Sequence, residues 1–156
     1  MQHIRQILVP VDFSEPSRKA LDYAATLARS FGASVDVLHV WEVPTFVPAG
    51  SVVGAGAGGG DVSLLELVRK GAEDAMTRFV AEAAERGITL RSSRVEPGAP
   101  AHKIADLAGE LGYDLIVLGT HGRTGLSRVL LGSVAESVVR HAPCPVLVVR
   151  AKPHQA

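Results

Sequence analysis

The sequence has one cysteine, Cys144, so no internal disulfide can form and a disulfide-stapled secreted scaffold is excluded. An excess of one charge is also missing, since 16 Lys and Arg balance 16 Asp and Glu. The whole-molecule field therefore favours neither nucleic acid nor an anionic membrane as a partner, and any anion site must be local. No apolar run approaches the roughly 18 residues of a membrane-spanning helix. The start MQHIRQILVPVDF has neither a long apolar stretch nor a small-residue cleavage site, and the expectation is a cytoplasmic protein. Signatures of catalysis are lacking too: there is no G-x4-G-K-[S/T], no G-x-S-x-G and no spaced array of Cys and His.

The 156 residues are 47% hydrophobic and 21% charged, which predicts one folded domain over 1–156. Runs dense in Val, Ile and Leu alternate with helical patterns, the pattern of a parallel sheet covered on both faces. Strands are predicted at Ile7 to Val11, Ser34 to Val40 or Trp41, Thr89 to Val95, Leu115 to Leu118 and Val146 to Val149. The first helix follows Ser14 and Pro16, repeats Ala20, Leu21, Ala24, Leu27 and Ala28 on one face, and stops at Gly32. A second runs from about Ser63 to Arg86 with core face Leu64, Leu67, Ala75, Phe79 and Ala83, closing at Gly87. The third spans Ala101 to Leu111, after a turn through Pro97, Gly98 and Pro100, and the fourth starts near Ser133. This alternation predicts an α/β, doubly wound, Rossmann-like fold: a five-stranded parallel sheet of order 3-2-1-4-5 with helices on both faces. Ligands of such sheets bind outside the carboxyl ends of the strands where the winding reverses, here after Val11 and after Leu118.

Residues 42–62 break the alternation and are predicted to be a flexible Gly-rich loop. Gly54 to Gly59 reads GAGAGG, a literal G-x-G-x-x-G. The dinucleotide fingerprint must follow a strand directly and open a helix, so this match is rejected.

The segment Gly119-Thr-His-Gly122-Arg-Thr-Gly-Leu-Ser-Arg-Val-Leu-Leu-Gly132-Ser133 follows the fourth strand. Glycines at a strand exit let backbone approach a ligand, and Gly132 and Ser133 open a helix whose first amides lack intrahelical partners. Together they suit a phosphate. Ser133 and Glu136 also spell a capping box, which would satisfy the helix start without any ligand. Both readings fit the spacing.

The stretch from Gly119 to Ser133 resembles the universal stress protein family, whose ATP-binding members carry G-x2-G-x9-G-(S/T), matched here by Gly119, Gly122, Gly132 and Ser133. ILVPVDFSEPS, the LHV at Leu38 to Val40, Gly98-Ala-Pro100 and HAPCPVLVV extend the resemblance over nearly the whole chain. It implies ATP binding: phosphates on Gly119, Gly122, Gly132, Ser133 and Val134; adenine among Pro10, Val11, Val40, Gly98 and Leu118; and Asp12 near the ribose and a Mg2+ ion. Arg123 and Arg128 lie in the motif, and Arg123 is the candidate to neutralise phosphate charge. His121 reads as a loop residue and Cys144 as a small buried thiol. No residue is assigned as catalytic, because a fast phosphoryl-transfer site needs a positioned base and cations that are not found. The expected function is a nucleotide-dependent stress-response or signalling module with at most slow ATP hydrolysis. The alternatives are a nucleotide-free dimeric scaffold, which the intact motif opposes, and an adenylyl-transferring enzyme, which lacks its H-x-G-H. The apolar run Val146 to Val149 predicts an edge strand through which two copies pair as a homodimer, as the resemblance also implies.

Overall fold

The computed structural model describes residues 3–43, 48, 50–53, 62–120 and 131–150. Five parallel strands form the main sheet: β1 (Gln6–Pro10), β2 (Ser34–Trp41), β5 (Ser92–Pro97), β6 (Leu115–Gly119) and β7 (Val146–Val149). Their order is β5-β2-β1-β6-β7, so the strands of the main sheet run 3-2-1-4-5, as the sequence predicts. Between β2 and the second helix, β3 (Val52–Val53) and β4 (Val62–Ser63) pair antiparallel. The predicted loop thus carries a two-stranded ribbon, one strand near its middle and one at its end, and GAGAGG at Gly54 to Gly59 lies outside the described residues.

Four helices connect the strands: α1 (Glu15–Phe31), α2 (Leu64–Glu85), α3 (Pro100–Glu110) and α4 (Ser133–His141). Because side chains alternate across a strand, each apolar run feeds two cores. Ile7, Val9, Val11, Val35, Val37 and Val117 pack with α1 and α2; Leu8, Leu38, Val40, Ile116 and Leu118 pack with α3 and α4. The buried face of α1 is Ser17, Ala20, Leu21, Ala24, Ala25 and Ala28, mostly small side chains that bring the helix close to the sheet. Gly32 ends it with φ 67°, as the predicted glycine stop requires.

Two expectations are corrected. The third predicted strand, Thr89 to Val95, is displaced to Ser92–Pro97, because Ile88 turns back onto Ala83 and joins the core while Arg91 is the first residue to bond β2. On α2 the buried residues are Ala72, Met76, Phe79 and Ala83, whereas Leu67 is 42% exposed. At 100° per residue Leu67 falls on the side of the helix away from that buried stripe, whereas Leu65 and Val68 continue it and are partly buried.

One buried carboxylate is built into the α3 face. Asp36 is 1% exposed and accepts from the Arg91 guanidinium, from Ser92 Oγ at 2.9 Å and from Tyr113 Oη at 2.7 Å. A buried charge is tolerated only with such donors.

Candidate functional site

β1 lies between β2 and β6, so the winding reverses at its carboxyl end. There Val11 continues the ladder, its amide donating to Leu38 O at 2.8 Å, and its carbonyl accepts from His39 Nδ1 at 2.8 Å. The chain then turns through Asp12 and Phe13 into α1. Asp12 Oδ1 accepts from the Ser14 amide at 3.0 Å, from Ser17 Oγ at 2.7 Å and from Ser14 Oγ. The Asp12 amide donates to Ser17 Oγ at 3.0 Å. Burial raises the Asp12 carboxyl, but the donors from Ser14 and Ser17 outweigh it and hold the group below the ordinary carboxylate range. No described residue hydrogen-bonds Oδ2. One carboxylate oxygen, Oδ1, thus organises the turn.

The remaining predicted residues gather around this turn from neighbouring strands. Pro10 ends β1, Val40 is near the end of β2 and 8% exposed, and Leu118 and Gly119 end β6. Gly98 follows β5 with φ 142°, a conformation that favours glycine, and its amide donates to Trp41 O at 3.0 Å. Pro10, Val11, Asp12, Val40, Gly98, Leu118 and Gly119 thus share the carboxyl edge of the sheet.

Gly119 has a reason for being glycine that the motif did not reveal. A Cβ on it would lie 2.7 Å from Pro16 Cβ and 2.9 Å from the Pro16 carbonyl carbon. Its missing side chain seats the first turn of α1 against β6. It thereby draws the Asp12 turn toward the strand exit.

The two ends of the glycine motif also meet. The Thr120 amide bonds Val149 O at 3.0 Å, and the Gly132 amide bonds Thr120 O at 2.6 Å. Gly132 and Ser133 are therefore brought back beside Gly119, although far apart in sequence. The residue flanking α4 is Gly132, with φ −61° and ψ 154°, and Ser133 is the first helical residue. The predicted capping box at Ser133 and Glu136 is corrected: the capping position is Gly132, no side-chain cap bond is made there among the described residues, and the Glu136 carboxylate pairs with Arg140 at 2.6 Å. With Ser133 already helical, its hydroxyl no longer has the position from which a cap is made. The opening amides of α4, from Ser133 and Val134, have no partner within the helix, as at any helix start. His121, Gly122, Arg123 and Arg128 lie outside the described residues.

Residues 3–150 match the family model described as the universal stress protein family. The chain belongs to that family. A universal stress protein of Methanocaldococcus jannaschii is 38% identical over 94% of this chain and 82% of its own. Universal stress protein UspA of Lactobacillus plantarum superposes with a TM-score of 0.74 at 29% identity, covering 96% of this chain and all of its own. A universal stress protein solved in complex with cAMP superposes with a TM-score of 0.59 at 26% identity, covering 96% of this chain and 98% of its own. Across this universal stress protein no described helix is long and apolar enough to cross a membrane. Among its described residues no cluster of three or more His, Cys, Asp or Glu could hold a metal ion.

Sequence reasoning missed three residues of this region: Phe13, His39 and Arg18. Phe13 has φ 67°, the one positive value on a non-glycine among the described residues. Its ring lies 4.4 Å from that of His39 and 5.7 Å from that of Phe79. A phenylalanine in an irregular stretch gives no sequence signal of such a backbone. His39 could have been noticed as the lone polar residue in the LHV run.

Proposed function

We propose that the chain is an ATP-binding universal stress protein, a nucleotide-dependent stress-response or signalling module in which binding rather than turnover is the main chemistry. The observation that carries this reading is the bond from the Gly132 amide to Thr120 O, which folds the motif so that an uncapped helix start stands beside the exit of β6. Phosphates would lie on Gly119, Gly122, Gly132, Ser133 and Val134, with Arg123 as the neutralising cation. The adenine would sit among Pro10, Val11, Val40, Gly98 and Leu118. Asp12 fits the ribose or Mg2+ side, since only Oδ1 is engaged in the turn. A Mg2+ ion bridges phosphate oxygens and keeps several waters, so a single protein carboxylate suffices to hold it with ATP. The relative solved with cAMP supports an adenine nucleotide as ligand class.

Chain purified without added nucleotide and then denatured is expected to release ATP, read by chromatography and mass spectrometry. A preparation that releases none, and that takes up no Mg2+-ATP in calorimetry, removes the reading and favours a nucleotide-free scaffold.

A second part of the proposal is a homodimer through β7. Val146 to Val149 pairs only with β6 among the described residues and leaves Leu147 36% exposed. Val134 and Val139 of the neighbouring α4 add exposed apolar surface. The opposite edge, β5, carries the ion pair Arg94 to Glu96 and exposed Ser93. A charged edge resists pairing and an apolar one invites it.

A further inference from the structure

We propose that Phe13 is a positioning residue for the nucleotide site: held in a left-handed backbone by α2 and His39, it sets the Asp12 turn, so that the seating of α2 on α1 governs nucleotide affinity. This rests on the ATP reading above and adds a control element to it.

The argument starts from the backbone. A side chain with a Cβ is disfavoured at φ 67°, and such a residue persists only where its surroundings over-determine it. Three contacts do so here. The Phe13 ring packs on His39, whose Nδ1 donates to Val11 O and so is itself tied to the backbone just before Asp12. The same ring meets Phe79 of α2 edge to face. The Phe13 carbonyl accepts from the Arg18 guanidinium. Arg18 in turn grips Glu82 of α2 through Nε at 2.8 Å and Nη2 at 3.1 Å, and lies 5.7 Å over the Phe79 ring. Of the residues that hold Phe13, Phe79 belongs to α2, and Arg18 of α1 is itself tied to α2 through Glu82, whereas the residue that Phe13 orients is Asp12.

A second ion pair supplies the comparison. Arg86 pairs with Asp22 one helical turn further along both α1 and α2, since each partner is four residues beyond its counterpart in the Arg18 to Glu82 pair. It ties the same two helices together but bonds neither Phe13 nor the Asp12 turn. If α2 acts on the site through Phe13, only the Arg18 to Glu82 pair should affect nucleotide.

The test is calorimetric titration of Mg2+-ATP into the full chain and into Phe13→Ala, Glu82→Gln and Asp22→Asn, with thermal unfolding measured in parallel. Phe13→Ala is expected to bind about tenfold more weakly and Glu82→Gln about threefold, while Asp22→Asn keeps parental affinity despite a similar loss of stability. Should Phe13→Ala fail to fold, the pair Glu82→Gln and Asp22→Asn decides. Glu82→Gln binding ATP as the parent does, or Asp22→Asn losing as much, overturns the inference and leaves the ATP reading standing. A parent chain that binds no ATP overturns both.

Discussion

At the scale of the residue, Gly119 and Asp12 each have a structural role at a position where a ligand role is also proposed. Gly119→Ala places a methyl 2.7 Å from Pro16 Cβ, and backbone atoms of Pro16 at 2.9 and 3.1 Å leave little room for relief. It is expected to cost about 1–3 kcal/mol in urea unfolding, the usual range for overpacking, and to weaken ATP by displacing the Asp12 turn. An alanine variant as stable as the parent would remove the seating role. Asp12→Asn keeps a carbonyl oxygen that can still accept from Ser14 and Ser17, so the turn survives while the charge is lost. Its affinity should fall more for Mg2+-ATP than for metal-free ATP. Equal losses place Asp12 on the ribose, and none in either condition leaves it a turn residue. Tyr113 gives a pH-dependent prediction. Burial first, and the bond to Asp36 second, push its phenol up to about 12. A raised folded value means stability that is complete below the unfolded value of about 10 and is lost as pH rises toward the folded value. Tyr113→Phe is expected to cost about 1–2 kcal/mol near neutral pH, with the deficit relative to the parent shrinking between about pH 10 and 12. A constant deficit across that range would show that the hydroxyl does not carry the effect.

At the scale of the element, the start of α4 is the anion site proposed above, and the register of its first residue decides what is available there. Since Gly132 flanks the helix and Ser133 is already helical, the phosphate would meet bare backbone rather than a capped end. Gly132→Val sets a branched side chain where phosphate must approach, yet φ −61° and ψ 154° are open to valine, so the fold should be kept. Calorimetry is expected to give an affinity about tenfold or more lower, equal to a loss of about 1.4 kcal/mol. Parental affinity in the folded variant would place the phosphates elsewhere. The existence and order of the main-sheet strands and the helices between them were legible in the sequence, though not the β3 to β4 ribbon, because strands buried on both faces must be unbroken apolar runs and helices against a sheet must repeat near 3.6 residues. Ends were less so. Thr89 and Leu90 look like the start of a strand, yet Leu90 packs against the core after α2, and the pleat begins only at Ser92. Leu67 looks like a core residue, yet it lies on the side of α2 away from Ala72, Met76, Phe79 and Ala83.

At the scale of the whole molecule, the β7 edge makes the assembly prediction testable with one residue. Ile116 and Thr120 donate to Pro145 O and Val149 O, so the alternation of a parallel ladder directs the amides of Val146 and Val148 away from β6. Val148→Pro therefore removes an outward donor while sparing the β6 pairing, and it should shift sedimentation equilibrium toward monomer. A parent that is monomeric at tens of micromolar, or a proline variant as dimeric as the parent, rules out the β7 dimer. By itself the sequence determined the α/β class, the strand order, the core runs and the glycine motif, because each of these is written in local pattern and spacing. Only the tertiary structure decided that Gly119 answers to Pro16, that Thr120 closes on Gly132, that Asp36 is satisfied by Arg91, Ser92 and Tyr113, and that Phe13 is held left-handed by α2. Those facts join residues from different elements, tens of positions apart in three of the four cases, and packing brings such partners together without leaving a periodic trace in the chain.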